Sequence, residues 1–340
     1  MSERVSIIGG GSWGTAIGQT LASKGHEVLI SVIEEGLKED INKKHVNSIY
    51  FPDVELNSRV RATYDLEEVV GFSSYLVISV PTQVTRKVIS RVAPRLDEEQ
   101  IIISTAKGLE EDTFLRNSEI IAEKCDNRVV VLSGPTHAEE VIRGMPSAAV
   151  VAAGDEELGE RIQELFMSRR FRLYTNPDMV GIELAAAVKN IMAVAAGIAD
   201  GLGYGDNTQA ALITRGLTEI SRFGMQFGGQ PLTFAGLAGL GDLVVTCTSK
   251  HSRNRSFGHY IGQGYSYSEA LEKVKQVVEG VKTTRAVYTW YKEKENELDF
   301  DIPITTQVYK VLFEEKNPHT AVDDLMLRGP KYELEKINKD

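Results

Sequence analysis

The fold of this chain is decided by residues 4–31, RVSIIGGGSWGTAIGQTLASKGHEVLIS. Residues 5–8 form a short apolar run that is typical of a buried parallel strand. Gly9, Gly11 and Gly14 follow with the spacing G-x-G-x-x-G, and apolar residues then recur at helical spacing. The segment HEVLIS supplies a second strand. A glycine turn between a strand and a helix predicts a Rossmann-type dinucleotide site.

Each glycine of this turn has its own physical task. Gly9 makes the tight turn, Gly11 lets backbone N–H groups approach a pyrophosphate, and Gly14 lets the helix pack closely on the strand. The phosphates then lie at a helix N-terminus, where unpaired N–H groups and the helix dipole favour anions. Ser12 and Trp13 lie within the turn, so we expect them to border the cofactor. The alternative is a strand–helix turn without a ligand.

Two carboxylates after the second strand bear on the choice of cofactor. Glu34 and Glu35 lie where a carboxylate can accept hydrogen bonds from the adenosine ribose hydroxyls and repel a 2′-phosphate. No arginine lies beside them in the sequence, so the segment favours NAD over NADP, although Lys38 argues the other way. A solvated acidic loop is the alternative interpretation.

Further parallel strands are predicted across the first half of the chain. The first three run into polar or Gly/Pro loops, and the carboxyl ends of parallel strands are where open α/β sheets bind ligands. We therefore expect the loops at 81–83, 107–108 and 134–139 to converge on one crevice. Lys107 is either an ordinary surface lysine or a functional group of that crevice. The predicted strand segments are SYLVISVPTQ (74–83), IIISTAKGL (101–109), RVVVLSGPTHAEEV (128–141) and SAAVVAA (147–153).

From about Val180 the pattern becomes helical, beginning with ELAAAVKNIMAVAAGIAD at residues 183–200. Lys189 lies in the middle of these small apolar residues. Burying its ammonium group there costs several kcal/mol unless a partner of opposite charge or hydrogen bonds offset the cost. A snorkelling lysine at a helix edge is the alternative. The apolar stretch is taken to be shorter than the ~20 residues that a bilayer needs, so no membrane span is expected.

The predicted fold is α/β, with a Rossmann-type, mostly parallel sheet domain at 1–179 followed by an all-α domain at 180–340. Within the second domain, the glycine-rich segment 233–258 is expected to interrupt the helices. The tail after Pro330 is charged and expected to be exposed.

The segment SRNR (252–255) places two guanidinium groups, a hydroxyl and an amide within one turn. The fork of an arginine matches a phosphate bidentately, whereas the ammonium of a lysine acts as a point charge. A surface turn with solvated arginines is the alternative. The neighbouring segment GLAGLGDL permits close backbone approach, and Asp242 is a lone acid in its apolar context.

Composition narrows the function classes. The 340 residues suffice for two domains, and a net charge of −10 without a long basic run argues against a nucleic-acid partner. Two cysteines are too few for a disulfide framework or a zinc cluster, so no metal site is expected and a reduced compartment is inferred. With no targeting segment visible, a cytoplasmic location is expected.

Taken together, the motifs resemble those of the bacterial type of NAD(P)-dependent glycerol-3-phosphate dehydrogenase, over essentially the whole chain. The shared segments, in the family's order, are GGGSWGTAI, VPTQ, AKGL, SGPTHAEEV, AAAVKNIMAVAAGI, GLAGLGDLVVTC, SRNRSFG and QVVEG. One departure is SVIEEGL (31–37), which is closer to the acidic version of NAD-using relatives than to the basic or histidine residue of many bacterial members.

The resemblance implies that Lys189 is the catalytic proton donor and acceptor and that Lys107 contacts both substrate and cofactor. It implies a homodimer that reduces dihydroxyacetone phosphate, a small phosphorylated substrate, to sn-glycerol 3-phosphate for phospholipid synthesis. Other implied substrate contacts are Gly134, Thr136, Lys189, Asp242, Ser252, Arg253 and Asn254. Other implied cofactor contacts are Ala138, Arg253, Val277 and Glu279.

The chemistry of such a site can be argued from the residues. Hydride addition to a ketone develops an alkoxide, and the Lys189 ammonium could supply both its proton and a positive charge. Burial should lower the pKa of Lys189 while Asp242 opposes that shift, and the sequence leaves open which effect wins. Two alternative functions remain open. One is a hydroxy acid or keto acid dehydrogenase of similar architecture, which would not need the SRNR segment. The other is a non-enzymatic NAD-sensing module.

Overall fold

The computed structural model describes residues 2–330, 332 and 333. In the first half of the chain, strands alternate with helices. The strands are β1 (Arg4–Ile8), β2 (Glu27–Ser31), β3 (Val46–Asn47), β4 (Phe51–Glu55), β5 (Val60–Thr63), β6 (Tyr75–Ile78), β7 (Ile101–Ser104), β8 (Val129–Ser133), β9 (Ser147–Ala152) and β10 (Phe171–Asn176). The helices of this half are α1 (Ser12–Ser23), α2 (Leu37–Glu39), α3 (Leu66–Phe72), α4 (Thr82–Val92), α5 (Asn117–Ala122), α6 (Ala138–Val141) and α7 (Glu156–Phe166).

The second half is helical. Its helices are α8 (Met179–Gly201), α9 (Asp206–Gln226), α10 (Pro231–Phe234), α11 (Asp242–Thr248), α12 (Arg253–Gly262), α13 (Tyr267–Val274), α14 (Glu279–Lys294), α15 (Pro303–Phe313) and α16 (Pro318–Met326). Single π or 3₁₀ turns lie at Asp40–Lys44, Ala93–Arg95, Leu237–Gly241 and Glu295–Glu297.

Within the described residues, one sheet has the strand order β10-β9-β8-β7-β6-β1-β2-β5, and β3 and β4 form a separate antiparallel pair. Every neighbouring pair of the large sheet is parallel except β8–β9. Strands β6 and β7 are buried at every position, because helices cover both faces of the sheet. The predicted fold class, a Rossmann-type, mostly parallel sheet followed by a helical domain, is confirmed.

The glycine turn between β1 and α1 has the predicted geometry. Gly9 has φ +109°, and a Cβ atom there would lie 2.4 Å from the backbone oxygen of Ser79. A Cβ atom on Gly14 would lie 2.0 Å from the oxygen of Gly9, so a side chain at Gly14 would separate α1 from the turn. Gly11 faces open space, with a Tyr50 ring carbon 4.0 Å from the position of its missing Cβ.

The long helix α8 forms the core of the helical domain. It has 23 residues and is apolar enough to cross a bilayer, so the prediction that this stretch is too short was wrong. Its apolar 18-residue window is entirely buried inside the protein, as in a core helix. A second candidate by composition, Pro231–Thr248, is 44% buried.

The glycine-rich segment 233–258 does not interrupt the helices as predicted. It contains the end of α10, a π turn, α11 and the start of α12. Glycine weakens isolated helices, but here it allows backbones to approach. A Cβ atom on Gly239 would lie 2.0 Å from the oxygen of Phe234.

Helices α8 and α12 are in direct main-chain contact. A Cβ atom on Gly197 of α8 would lie 2.0 Å from the oxygen of Arg255, and one on Gly258 of α12 would lie 2.1 Å from the oxygen of Val194. Any side chain at either glycine would therefore force the two helices apart.

Strand β10 ends at Asn176 and α8 begins at Met179. The predicted boundary between a sheet domain at 1–179 and a helical domain at 180–340 stays a prediction. The tail predicted to be exposed after Pro330 falls mostly on residues 331 and 334–340, which lie outside the described residues.

Candidate active site

The loops that follow β6, β7 and β8 lie at the carboxyl edge of the sheet and face the helical domain. Lys107 follows β7 and Gly134 follows β8, while Lys189 lies on α8. The Lys107 ammonium donates to the backbone oxygen of Gly134 at 2.8 Å. The structure thus brings together the crevice residues that the strand endings predict.

The centre of the site consists of two lysines on one carboxylate. The Lys189 Nζ atom lies 2.6 Å from Oδ1 of Asp242, and the Lys107 Nζ atom lies 2.8 Å from Oδ2. Lys189 is 3% exposed and Asp242 is 2% exposed. Two cations against one anion leave an excess of positive charge at the crevice, which suits an anionic substrate.

The local structure explains this arrangement. Asp242 is the first residue of α11, where the helix dipole favours a negative charge. Thr246 lies one turn later on the same face, and its hydroxyl accepts from the Lys189 ammonium at 2.7 Å and donates to the Asp242 backbone oxygen at 2.5 Å. Sequence reasoning missed Thr246, although its four-residue spacing from Asp242 could have indicated it.

Burial and the Asp242 carboxylate act in opposite directions on the pKa of Lys189. Burial lowers the pKa of Lys189 to about 8, and the Asp242 carboxylate opposes this shift without cancelling it. Burial alone would raise the pKa of Asp242, but the charges of Lys107 and Lys189 hold it below its ordinary value. At neutral pH, below this pKa, Lys189 is therefore protonated, and a pKa so close to neutrality suits the group to proton transfer.

A chain of amides connects the cluster to α12 and α14. Asn190 donates to the backbone oxygen of Lys107 at 2.8 Å and accepts from the Asn254 amide at 2.9 Å. The other atom of that amide, Oδ1 of Asn254, accepts from the Gly280 N–H at 2.9 Å. Asn190 carries no role in the sequence prediction, although its polarity beside Lys189 in an apolar helix was a signal.

The SRNR segment is a helix start rather than a surface turn. Ser252 is buried, and its hydroxyl caps α12 by accepting from the N–H of Arg255 at 3.2 Å. Arg253 is exposed on the first turn. Arg255 instead pairs with Asp200 at 3.0 Å, so its guanidinium group is already engaged. Arg253 thus remains the candidate phosphate ligand of the segment.

On the cofactor side, the N-terminus of α1 lies in the glycine turn, and its cap residue Gly11 supplies no side-chain hydrogen bond. Ser12 and Trp13 begin the helix, and the buried indole nitrogen of Trp13 has no hydrogen-bond partner among the described residues. Glu34 is half-buried, and it accepts from the Tyr50 hydroxyl at 3.1 Å. Tyr50 was not predicted, because it lies on the separate hairpin between β3 and β4.

The remaining predicted residues line the same region. Glu279 accepts from the N–H of Thr82 at 3.1 Å; burial raises its pKa, opposed by that hydrogen bond and by the charge of Arg253. Val277 is 48% exposed, two residues before it. Ala138 is buried at the start of α6, and the buried Thr136 donates to the oxygen of Gly134 at 3.1 Å.

These residues fit a dinucleotide. The glycine at the start of α1 leaves room for a phosphate beside helix N–H groups that no side chain caps, and Glu34 offers a carboxylate after β2. The nucleotide half would lie over β1 and β2. The lysine cluster lies beyond β7 and β8, at the same edge of the sheet.

Comparison with known proteins identifies the chain's relatives. The N-terminal model of the NAD-dependent glycerol-3-phosphate dehydrogenase family matches residues 4–159, and the C-terminal model matches residues 178–323. A relative from Halothermothrix orenii is 62% identical over 340 residues, covering 100% of this chain and 99% of its own length. A relative from Clostridium acetobutylicum is 50% identical over 330 residues, covering 97% and 98%.

Both relatives carry the name glycerol-3-phosphate dehydrogenase of the NAD(P)+ type. A crystal structure of glycerol-3-phosphate dehydrogenase from Coxiella burnetii matches with a TM-score of 0.91 and 38% identity, covering 96% of this chain and 99% of that chain.

Proposed function

This chain belongs to the NAD-dependent glycerol-3-phosphate dehydrogenase family, and we propose that its Lys107–Asp242–Lys189 cluster carries out the family reaction. The resemblance predicted from the motifs is confirmed. The protein is an oxidoreductase that acts on a CH–OH group with NAD or NADP, interconverting dihydroxyacetone phosphate and sn-glycerol 3-phosphate. The observation that carries the residue assignment is the buried 2.6 Å contact between Lys189 and Asp242.

Lys189 is the general acid in ketone reduction and the general base in alcohol oxidation. A bound nicotinamide supplies or accepts the hydride. The alkoxide oxygen that develops needs a proton, and the Lys189 ammonium holds one at a pKa of about 8. After the transfer, the neutral amine can recover a proton from solvent. In the oxidation direction the same amine takes the proton of the substrate hydroxyl.

Lys107 and Asp242 fix the charge and orientation of that ammonium. Asp242 holds both lysines, so neither can swing into the crevice without breaking an ion pair. Lys107 supplies the second positive charge close to the developing alkoxide, where low solvent access strengthens electrostatic stabilisation. Thr246 completes the orientation by accepting one N–H of Lys189.

The substrate is a small phosphorylated compound, and its phosphate binds at the start of α12. The exposed guanidinium of Arg253 offers the bidentate donor, and Ser252 and Asn254 flank it. Binding energy at the phosphate is remote from the reacting carbon, so it can be used to orient the carbonyl toward Lys189. Gly134 and Thr136 complete the substrate contacts from the sheet side.

The glycine turn would hold the cofactor through Gly9, Gly11, Ser12, Trp13 and Gly14. Further contacts would come from Glu34, Lys107, Ala138, Arg253, Val277 and Glu279. Of the two cofactors, NAD is favoured. The carboxylate of Glu34 is held by Tyr50, and the Lys38 ammonium lies over the Tyr64 ring at 5.6 Å. A fixed carboxylate beside the ribose disfavours a 2′-phosphate.

We also propose a cellular setting for the protein. The protein acts in the cytoplasm as a homodimer and supplies the glycerol backbone of phospholipids. Both cysteines are free, which supports a reducing compartment. Sedimentation of the purified protein tests the dimer.

One assay tests the proposed function. The purified chain is mixed with dihydroxyacetone phosphate and either NADH or NADPH, and cofactor oxidation is followed by absorbance. We expect turnover with dihydroxyacetone phosphate and a higher kcat/KM with NADH. A panel of keto acids serves as the control. Faster turnover of a keto acid would contradict the substrate assignment, and a preference for NADPH would contradict the role of Glu34.

A further inference from the structure

The loop between β7 and α5 is closed on itself. Leu109 and Arg116 form a β-bridge across its base. Inside it, the N–H of Glu110 donates to the oxygen of Leu115 at 3.0 Å, and the N–H of Phe114 donates to the oxygen of Glu110 at 2.9 Å. We call residues 107–116 the strap. The bridge and these hydrogen bonds close residues 109–116 into one loop, and Lys107 and Gly108 lead directly into it.

The strap is tied to the sheet domain through α4. Arg86 binds the carboxylate of Glu110 with two nitrogens, Nε at 2.8 Å from Oε1 and Nη2 at 2.7 Å from Oε2. Gln83 donates to the oxygen of Leu109 at 2.8 Å and accepts from the N–H of Glu111 at 3.0 Å.

The strap also contacts the helical domain, through the aromatic ring of Phe114 at its tip. The Phe114 ring is stacked on Trp290 of α14, with centroids 5.4 Å apart and an interplanar angle of 15°. Two phenylalanines of the helical domain complete the socket, Phe227 at 5.5 Å and Phe223 at 6.0 Å. A residue of the sheet domain thus packs in an aromatic cluster of the helical domain.

The backbone at the anchor supports a specific role. Phe114 has φ +61°, a conformation that a bulky side chain rarely adopts. Such a conformation persists when the surroundings over-determine it, and it is more common at functional sites. Here the ring socket and the hydrogen bond to Glu110 hold it.

Lys107 lies at the other end of the strap. Its ammonium reaches Asp242 at 2.8 Å, and its backbone oxygen accepts from Asn190 at 2.8 Å. Both partners belong to the helical domain, as does the socket of Phe114. The placement of Lys107 against Asp242 thus depends on how the strap is seated on that domain.

We propose that Phe114 is a positioning residue, which acts through the strap to hold Lys107 at the correct place beside Asp242. The inference rests on the proposed role of Lys107 in the site. It assigns a function to a side chain that is not itself part of the lysine cluster.

The first test is Phe114→Ala in the full chain. A misplacement of about 1 Å at a catalytic group can cost roughly a hundredfold in rate, so we expect kcat/KM for dihydroxyacetone phosphate to fall roughly tenfold to a hundredfold. The dissociation constant of NADH should change much less than kcat/KM, because the glycine turn lies on another strand and is untouched. Phe114→Leu keeps an apolar anchor and should restore most of the activity. Phe166→Leu, in the buried core of the sheet domain, is the matched control for lost packing and should keep kcat/KM.

The second test separates positioning from general destabilisation. Phe114→Ala is combined with Lys107→Ala, and kcat/KM is measured for both single variants and the double variant. If Phe114 acts through Lys107, the double variant loses little beyond Lys107→Ala alone. Independent, multiplying losses would overturn the inference. So would full activity of a folded Phe114→Ala variant when Lys107→Ala is impaired. If Lys107→Ala is itself fully active, the proposed role of Lys107 fails, and the inference fails with it.

Discussion

Lys189 and Glu219 are two buried charges on neighbouring helices, and each is 3% exposed. Glu219, on α9, accepts from the backbone N–H groups of Ile304 at 2.8 Å and Thr305 at 2.9 Å, and from the Thr305 hydroxyl at 2.6 Å. It therefore caps the N-terminus of α15. Lys189 instead meets a carboxylate that it shares with a second lysine from the sheet domain.

The difference teaches that burial of a charge does not by itself mark a reactive group. Among the residues that the structure describes, the hydrogen-bond partners of Glu219 belong to one helix end, so that carboxylate stabilises local structure. Lys189 instead contacts the carboxylate of Asp242, which also binds Lys107 of the sheet domain, so its charge can respond to a substrate. The following predictions test this distinction, in order of decreasing effect on catalysis.

The largest effect is expected for Lys189→Ala. Removing the proposed general acid should lower kcat by roughly 10²–10⁴-fold, while NADH still binds, because the glycine turn is untouched. Turnover kinetics and NADH fluorescence titration measure the two quantities. Lys87→Ala, which removes an exposed lysine of α4, is the control and should be fully active. A near-normal kcat for Lys189→Ala would contradict the catalytic role of Lys189 and leave it, like Glu219, a structural residue.

The two arginines of α12 extend the comparison to less buried charges. Arg253→Ala should raise KM for dihydroxyacetone phosphate by roughly tenfold to a hundredfold, the worth of a charge-assisted hydrogen bond. Arg255→Ala breaks a pair with Asp200 and should mainly lower stability. Steady-state kinetics and thermal unfolding of both variants distinguish these outcomes. Equal activity of the parent protein on phosphate-free dihydroxyacetone would count against the phosphate site.

A smaller but diagnostic effect is expected for Asp242→Asn. The Asp242 carboxylate raises the pKa of Lys189 against the effect of burial, so its removal should bring that pKa below about 8. In the proposed mechanism, reduction requires protonated Lys189, so its rate falls as pH rises through the pKa of that lysine. The descending limb of the kcat profile for ketone reduction should therefore move to lower pH. An unchanged limb would mean that another group titrates there.

Glu219→Gln should have the smallest effect on catalysis and a clear effect on stability. An amide places an N–H against donors of α15, so the free energy of unfolding should fall by about 1–3 kcal/mol with kcat unchanged. Urea titrations at several pH values, followed by circular dichroism, measure this loss.

Glu219 also gives the parent protein a pH dependence. Burial raises the pKa of Glu219 from 4.5 to about 7, so between these values the folded protein binds a proton that the unfolded chain does not. Its stabilising contribution is complete below pH 4.5 and is lost as pH rises through 7. Glu219→Gln should flatten this slope in the same titrations. A variant with the slope of the parent would show that other groups cause it.

The parts of the fold that follow from local pattern could be predicted. The glycine turn and the buried strands β6 to β9 carry continuous signals. Strands β5 and β10 were missed because they lie at the two edges of the sheet, where exposed residues interrupt the apolar pattern. Helices α10 to α12 were missed because glycine normally disfavours helix, and the close contacts that require it are tertiary.

The residues of the site could likewise be predicted only where the local sequence was unusual. Lys189 was evident as a charge in an apolar helix, and Asp242 as a lone acid after glycines. Tyr50 gave no signal, because its bond to Glu34 depends on the folded hairpin. The residues alone did not separate Arg253 from Arg255, since Asp200, the partner of Arg255, is far away in the chain; only the family resemblance singled out Arg253.

The glycine contact between α8 and α12 fixes the distance between the backbones of these two helices. Lys189 lies on one of these helices and Arg253 begins the other, and main chain touches main chain between them. Repacking of side chains cannot stretch or shorten such a junction. The distance between the backbones of the proposed proton donor and the proposed phosphate ligand is therefore set by main-chain contact. A substitution at Gly197 or Gly258 would change that distance, whereas substitutions in the surrounding side chains would leave it in place.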